Sequence, residues 1–345
     1  MLTAEFERVG LPLADAFTIS RGTRESVENV VVRVTDDGGR TGVGGAAPAA
    51  HYGETTDTVE AVLPDLLDVV ESVDDPHALA AIERRCREVV RRNPAARAAV
   101  SMAVHDLAAK RLGVPLYRLW GLDPDRTPRT SFTVGIDEPE RMRAKAADAV
   151  DAGHRVLKVK LGTDRDRELV AAVREAAPAD EVRLRVDANE AWTPREAVAK
   201  SAWLADHDVE FVEQPVPAEN PDGLRFVREH GELPVAADES CRTLADVPRV
   251  AGSADIANLK LMKCGGLREA RRMIATARAH GLEVMLGCMV ESNASIAAAC
   301  HLAPLLDYAD LDGALLLSDD PYDGVDLAGG EIRLTDDRPG TGARR

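Results

Sequence analysis

The chain has 345 residues and 45% hydrophobic content, enough for a barrel-sized domain and a second module. Acidic residues outnumber basic ones by 59 to 43, giving a formal net charge of −16, and such a surface repels nucleic-acid phosphates and anionic lipids. We therefore expect no nucleic acid and no membrane as partner; no apolar run approaches the roughly 20 residues that span a bilayer.

The cysteines and the first residues indicate a cytoplasmic protein. The five cysteines show no CxxC spacing, which argues against a disulfide framework or a zinc cluster. The sequence MLTAEFERVG lacks a basic segment followed by an apolar stretch, so no secretion signal is expected.

Lysine is scarce: only seven of the 43 basic residues are lysines. Together with the acidic excess, this composition is typical of a salt-adapted protein. A G+C-rich genome that favours arginine codons explains it equally well. Four of the seven lysines lie in two close pairs, Lys158 with Lys160 and Lys260 with Lys263.

Residues 1–125 are predicted to form an α+β domain. Residues 28–36 alternate apolar and polar as a half-buried strand, and residues 41–48 are the returning strand of a hairpin. Three helix-patterned segments follow between residues 55 and 113. A proline-containing stretch places the domain boundary near residue 125.

Residues 126–318 alternate short β-rich runs with helix-patterned segments. The run ends from Lys160 onward recur every 22 to 27 residues, the pattern of a closed parallel (β/α) barrel. The eight runs are residues 130–135, 155–160, 182–187, 209–214, 234–239, 256–261, 282–287 and 308–313. A doubly wound open sheet shares this alternation, but no GxGxxG turn follows the first run. We expect residues 319–345, turn-rich with one short strand, to return to the N-terminal domain.

Three carboxylates end neighbouring predicted strands: Asp187, Glu213 and Asp238. In a parallel barrel, catalytic groups stand at the C-terminal ends of the strands, so these side chains can converge. Unpaired carboxylates would raise each other's pKa, which implies a cation, and oxygen ligands favour Mg²⁺ over zinc. The alternative is three separate salt bridges to arginines such as Arg185.

Lys158 and Lys160 point to one face of their strand, which we predict to be the barrel interior. Burial and a second cation would lower a lysine pKa and make a neutral amine accessible. Lys260 lies four strands further on, across the barrel, so the amines can remove and deliver a proton on opposite faces of one carbon. Snorkelling lysines and a Schiff-base lysine are the alternatives. Lys263 is expected to be supporting or solvent-facing.

These residues suit removal of a proton alpha to a carboxylate, because Mg²⁺ and ammonium groups stabilise the resulting enediolate. Their order resembles the enolase superfamily, muconate-lactonizing enzyme subgroup. The motifs that carry the resemblance are KVK (158–160), DAN (187–189), VEQP (212–215), ADES (237–240) and NLKLMKCGG (258–266). It covers nearly the whole chain and implies a modified TIM barrel, (β/α)7β, with an N-terminal α+β capping domain.

The resemblance also implies roles for single residues. Lys160 and Lys260 would be the acid/base pair, and Lys158 would lower the pKa of Lys160 and bind the substrate carboxylate. The metal ligands would be Asp187, Glu213 and Asp238.

The last predicted strand reads YADLDG, and Asp310 and Asp312 resemble the DxD motif with which dipeptide epimerases hold a substrate ammonium. An acidic turn in an acidic protein is the alternative. The resemblance further implies that Thr133, Gly287 and Met289 line the pocket. The chain is thus most like the dipeptide epimerases, isomerases that invert the C-terminal residue of an L,L-dipeptide by two-base 1,1-proton transfer.

Three further questions stay open. The activity could be that of an o-succinylbenzoate synthase, an N-succinylamino acid racemase or a muconate cycloisomerase, or the chain could be a non-catalytic metal-binding scaffold. In the cap loops 17–22 and 47–55, Arg21 could bind an acidic substrate side chain or be solvated, and His51 and Tyr52 could contact substrate. Barrels of this type often associate, so a homo-oligomer is expected.

Overall fold

The structure of the protein is a computed structural model that describes residues 1–345. The chain begins with a three-stranded antiparallel sheet. Its strands, in the order β1-β2-β3, are β1 (Thr3–Ile19), β2 (Gly22–Thr35) and β3 (Thr41–Ala46). The hairpin predicted for residues 28–48 is confirmed by β2 and β3, but β2 begins six residues earlier than predicted. β1 was not predicted; nearly all of its side chains are exposed or half-buried.

The three predicted helices of this domain are confirmed as α1 (Thr56–Val73), α2 (Leu79–Val89) and α3 (Pro94–Leu112), followed by the short α4 (Leu116–Leu119). Thr55 and Thr58 form a capping box at the start of α1, which satisfies two of its free amides. α3 packs closely on β3, where a Cβ atom at Gly44 would lie 2.1 Å from the Ala99 carbonyl oxygen. The sheet and α3 therefore approach each other through a residue without a side chain.

Eight parallel strands form the second domain, and they neighbour one another in chain order. They are β4 (Phe132–Val134), β5 (Val156–Lys160), β6 (Arg183–Asp187), β7 (Val209–Glu213), β8 (Val235–Ala237), β9 (Ile256–Lys260), β10 (Glu283–Gly287) and β11 (Tyr308–Asp310). The ring closes just before β4, where the Ser131 amide donates to the Ala309 carbonyl at 3.1 Å. This order confirms the barrel and excludes the doubly wound sheet, in which the strand order reverses.

Helices connect successive strands around the outside of the barrel, as the (β/α)7β pattern requires. They are α5 (Pro139–Asp151), α6 (Asp166–Ala176), α7 (Pro194–Ala205), α8 (Pro221–His230), α9 (Val247–Val250), α10 (Leu261–Cys264), α11 (Leu267–Ala279) and α12 (Asn293–Cys300). Proline at the first turn of α5, α7 and α8 suits the helix N-terminus, where its missing N–H costs no hydrogen bond. None of the helices is both long and apolar enough to cross a membrane.

Residues 319–345 contain no regular strand, so the short strand predicted there is wrong. Residues 331–335 make only an isolated bridge between Arg333 and Asp326, too little pairing for a strand. The segment contacts the N-terminal domain: the Thr341 amide donates to Asp106 at 2.7 Å, and Arg33 donates to the Tyr322 hydroxyl at 2.9 Å.

The tip of the β1–β2 hairpin lies over the C-terminal ends of the barrel strands. The Ile136 amide donates to the Thr18 carbonyl at 2.8 Å, and a Cβ atom at Gly162 would lie 2.9 Å from the Ser20 Cβ. The N-terminal domain thus covers the end of the barrel at which polar residues collect.

Candidate active site

The predicted catalytic and metal-binding residues lie at one level of the barrel. Asp187 pairs in register with Lys160 on one side and with Glu213 on the other, each at the last position of its strand. Lys260 ends β9, and Asp238 follows β8 directly. All five side chains are buried, so the chain collects three acids and two amines at the C-terminal end of the barrel.

Lys158 lies among the carboxylates. Its Nζ is 3.1 Å from Asp187 Oδ2 and 2.8 Å from both Glu213 Oε2 and Asp310 Oδ2. Burial alone would lower the Lys158 pKa, but these charges raise it well above its ordinary value. Arg185 donates to Glu210 at 2.8 Å instead, and the three acids pair with lysines, which excludes the alternative of separate arginine salt bridges.

The three acids titrate differently because their neighbours differ. Burial and the charge of Asp187 raise the pKa of Glu213. Burial acts the same way on Asp187 and Asp238, but the ammonium groups of Lys160 and Lys260, respectively, hold their pKa values below the ordinary range. Glu213 Oε2 and Asp238 Oδ2 make no hydrogen bond of regular geometry, and each faces only a lysine ammonium, so the acid group retains coordination capacity.

Lys160 and Lys260 approach the acids from different parts of the barrel wall. Lys160 Nζ is 2.6 Å from Asp187 Oδ2, and Lys260 Nζ is 2.9 Å from Asp238 Oδ2. Their strands, β5 and β9, are separated by three others in an eight-stranded ring, which places them on opposite sides. Burial lowers the pKa of Lys260, but the charge of Asp238 outweighs burial and raises it. The lowered pKa expected for the Lys158 and Lys160 pair is wrong for Lys158, because the neighbouring carboxylates raise its pKa.

Lys263 is a supporting residue and is not solvent-facing. It is 3% exposed, and its Nζ donates to Asp238 Oδ1 at 2.5 Å and to the Asp238 and Asn258 carbonyls at 2.6 and 2.9 Å. The Asn258 side chain in turn donates to Glu213 Oε1 at 2.8 Å. These two residues orient two of the acids from behind.

Gln214 links the ends of β7 and β8. Its Oε1 accepts hydrogen bonds from the Asp238 and Ser240 amides at 3.0 and 3.1 Å, and its Nε2 donates to Ser240 Oγ at 2.9 Å. Gln214 has φ of 34°, which is rare for a residue with a side chain. These bonds set the position of Asp238 relative to Glu213.

Asp310 and Asp312 meet β4 at the closing seam of the barrel. Asp310 Oδ1 accepts from Ser131 Oγ at 2.6 Å, and Asp312 Oδ2 accepts from the Thr133 amide at 2.6 Å. Burial and the charge of Asp310 raise the pKa of Asp312 to about 7. Lys158 is already paired with Asp310, so the two aspartates together retain negative charge for a cation.

Gly287 and Met289 lie at and just beyond the end of β10. A Cβ atom at Gly287 would lie 2.9 Å from Asn258 Oδ1 and 3.0 Å from Lys260 Cε, so glycine leaves room for the Lys260 side chain. The Met289 amide donates to Glu291 at 2.7 Å, and its side chain is half-buried.

The cap loops contact the barrel through charged residues. Arg21 donates to Glu239 Oε1 at 2.9 Å, to the Asn189 carbonyl at 3.1 Å and to Glu190 Oε2 at 3.3 Å. His51 Nε2 is 3.1 Å from the same Glu190 oxygen. Arg21 is therefore not a solvated loop residue.

Tyr52, beside His51, carries a hydroxyl whose pKa is raised by burial and by the charge of Asp238. Its ring packs under the guanidinium of Arg242, 4.7 Å from the ring centroid. The 47–55 loop thus lies close enough to the buried acids for the charge of Asp238 to act on Tyr52.

Sequence reasoning missed the residues that hold the acids in place. Asn258 could have been found, because it is two residues before Lys260 and so shares its strand face. Gln214, Glu190 and Glu239 gave no such signal, because their roles depend on contacts between loops that only the folded chain brings together.

Two family models match the chain. One, described as the mandelate racemase/muconate lactonizing enzyme N-terminal domain, matches residues 1–121. The other, described as enolase C-terminal domain-like, matches residues 141–344. Together they span the cap and the barrel.

Curated relatives are similar over nearly the full chain. An L-Ala-D/L-Glu epimerase from Bacteroides thetaiotaomicron is 40% identical, over 97% of this chain and 86% of its own. A hydrophobic dipeptide epimerase from Roseobacter litoralis is also 40% identical, over 99% and 98%.

Solved structures of dipeptide epimerases are also similar to this chain over nearly its full length. A dipeptide epimerase from Enterococcus faecalis in complex with Mg and L-Leu-L-Tyr superposes with a TM-score of 0.93 at 34% identity, covering 99% of both chains. A substrate-liganded L-Ala-D/L-Glu epimerase from Bacillus subtilis gives 0.92 at 33% identity, covering 99% and 97%. The chain therefore belongs to the mandelate racemase/muconate lactonizing enzyme family of the enolase superfamily.

Proposed function

We propose that this protein is a Mg²⁺-dependent dipeptide epimerase, an isomerase that inverts the alpha carbon of the C-terminal residue of an L,L-dipeptide. The observation that carries the proposal is the pair of amines, Lys160 and Lys260, on opposite sides of one buried acid group. The dipeptide epimerases among its relatives, at 40% identity, support this reading.

The acid group fits Mg²⁺. All the atoms that could coordinate the ion are carboxylate oxygens, the ligands that Mg²⁺ prefers, and the buried oxygens Glu213 Oε2 and Asp238 Oδ2 face only lysine ammonium groups. Asp187, Glu213 and Asp238 would hold the ion, because they lie at the same height at the C-terminal ends of three neighbouring strands. When bound, Mg²⁺ supplies positive charge that stabilises negative charge on the substrate carboxylate.

The lysines move the proton. One of Lys160 and Lys260 takes the alpha proton from one face, and the other delivers a proton to the opposite face, which inverts the configuration. Lys158 adds a fixed positive charge beside the substrate carboxylate, since its raised pKa keeps it protonated. We therefore assign Lys158 to substrate binding and not to proton transfer.

Asp310 and Asp312 would bind the alpha-ammonium of the dipeptide. Both are buried; Asp310 is paired with Lys158, whereas Asp312 Oδ2 has only the Thr133 amide as a partner, so the Asp312 carboxylate is available to a cation. We propose that Thr133 and Met289 line the same pocket.

The test is alpha-deuterium exchange. The purified protein with Mg²⁺ in D₂O should incorporate deuterium at the C-terminal alpha carbon of at least one member of a dipeptide panel, with formation of the L,D-epimer. No exchange with any member would contradict the proposal. Replacement of Asp312 by Asn separates this activity from a lyase or cycloisomerase, because only a dipeptide brings an ammonium and Asp312 makes no salt bridge to Lys158: epimerisation should fall by about tenfold or more.

We also propose a cellular location, a salt adaptation and an oligomeric state for the enzyme. All five cysteines are free and four are buried, which fits a reducing cytoplasm. The acidic surface supports adaptation to a salt-rich interior. We retain a homo-oligomer as a prediction, to be measured by sedimentation.

A further inference from the structure

Arg21, the arginine at the tip of the β1–β2 hairpin, already pairs with two acidic residues of the barrel loops. Arg21 Nη2 lies 2.9 Å from Glu239 Oε1 and Nη1 lies 3.3 Å from Glu190 Oε2, and the Arg21 side chain is 33% exposed. The Glu239 side chain is 1% exposed and that of Glu190 is 12% exposed. The guanidinium pairs more favourably with these buried acids than with a substrate carboxylate, because the substrate would first have to lose its hydration and the acids are already desolvated.

Glu190 is fixed in this role from the barrel side. Its Oε1 accepts from the Ala218 amide at 2.8 Å, and its Oε2 faces both Arg21 and His51. Burial and the charge of Arg21 lower the pKa of His51, so this histidine adds little positive charge. Both Nη atoms of Arg21 are already bound, one to Glu239 and the other to Glu190, so an acidic substrate side chain would have to displace one of these carboxyl groups.

We propose that this enzyme selects dipeptides whose epimerised residue is not acidic, and that Glu190 determines this specificity by holding Arg21. The inference rests on the proposed function and deepens it. Of the two substrate types in the names of the relatives described above, one acidic and one hydrophobic, it favours the second. It also replaces the sequence-based expectation that Arg21 binds an acidic substrate.

L-Ala-L-Gln and L-Ala-L-Glu isolate the charge, because their side chains have nearly the same shape. In the wild type we expect kcat/KM for alpha-deuterium exchange to be at least about tenfold higher with L-Ala-L-Gln. Glu190→Gln removes one of the acids that hold Arg21, so the preference should shift toward L-Ala-L-Glu by about fivefold or more.

Glu219→Gln is the matched control. Glu219 is exposed and forms no salt bridge, so its substitution makes the same change of charge without releasing Arg21 and should leave the ratio within about twofold. Because the readout is a ratio, a uniform loss of activity in Glu190→Gln would not mimic the expected shift. A uniform loss with an unchanged ratio contradicts the role of Glu190.

Arg21→Gln distinguishes the two accounts of the arginine. If Arg21 is held by the acids, its loss leaves them uncompensated and lowers exchange with L-Ala-L-Glu further. A wild-type preference for L-Ala-L-Glu that Arg21→Gln abolishes would overturn the inference and leave the epimerase proposal intact. Absence of exchange with every dipeptide contradicts the proposed function, and the inference with it.

Discussion

At the scale of a single residue, Lys263 holds the Asp238 carboxylate in place. Its ammonium lies 2.5 Å from Asp238 Oδ1 and is buried, so Lys263→Met would leave that carboxylate oxygen without a partner. Groups that orient metal ligands are worth about 10- to 100-fold in metal affinity. We expect Lys263→Met to weaken Mg²⁺ binding by that factor in titration calorimetry.

Lys110→Met is the control for this prediction. Lys110 also pairs with a fully buried carboxylate, Asp106, at 2.7 Å, but in the capping domain. This variant should lose stability and keep its Mg²⁺ affinity. Equal effects of both variants on Mg²⁺ binding would mean that Lys263 acts on stability alone.

Gly287 provides space for the side chain of Lys260. A methyl group there would press on Lys260 Cε and on Asn258 Oδ1, at 3.0 and 2.9 Å. Because a small displacement of a catalytic group is costly, we expect Gly287→Ala to lower kcat by about tenfold or more. The thermal unfolding midpoint, measured alongside, should change little; an unchanged kcat would contradict this role.

At the scale of elements, Glu54 joins a cap loop to the start of α3. Its two carboxylate oxygens accept from the Ala95 amide at 3.2 and 3.1 Å, in place of an ordinary N-cap side chain. Burial raises its pKa to about 7. The folded state therefore keeps a proton, up to about pH 7, that the unfolded chain releases near pH 4.5.

This difference predicts a pH effect with a definite sign. Because the folded state binds more protons between pH 4.5 and 7, the contribution of Glu54 to the free energy of unfolding falls as the pH rises through that range. Glu54→Gln cannot ionise, so the variant should gain on the order of 2 kcal/mol relative to the wild type between pH 5 and 8. Urea unfolding at several pH values measures it; a constant difference would refute the linkage.

Elements were predictable where one physical signal dominated. All eight barrel strands were located because short β-rich runs recur at a regular spacing along the chain, and the cap helices were located because of their periodicity. β1 was missed because it is largely exposed, and the strand at 331–335 was wrong because alternation alone does not supply a pairing partner.

The residues of the site likewise fall into those that the sequence predicts and those that it does not. The convergence of Asp187, Glu213, Asp238, Lys160 and Lys260 could be predicted because each lies at or next to the end of a strand, and parallel strands bring their ends together. The pKa of Lys260 could not, because the direction depends on Asp238 lying 2.9 Å away. The partners of Arg21 could not either, because they belong to loops distant in sequence.

At the scale of the whole molecule, the net charge of −16 sets the response to salt. Self-repulsion of the acidic surface destabilises the folded chain and is screened by ions. We expect the thermal unfolding midpoint to rise by several degrees between about 0.1 and 1 M KCl, where the Debye length falls from about 10 to 3 Å. A midpoint insensitive to KCl would favour codon bias as the source of the composition.

The opposed placement of Lys160 and Lys260 is tested most directly by alpha-deuterium exchange in single-lysine variants. With Mg²⁺ in D₂O, Lys160→Ala and Lys260→Ala should each lose epimerisation by about 10² to 10⁴-fold. Each variant should still exchange the alpha hydrogen of one epimer, L,L for one variant and L,D for the other, because a single amine serves a single face. Exchange of the same epimer by both variants would place the two amines on one side and contradict the account.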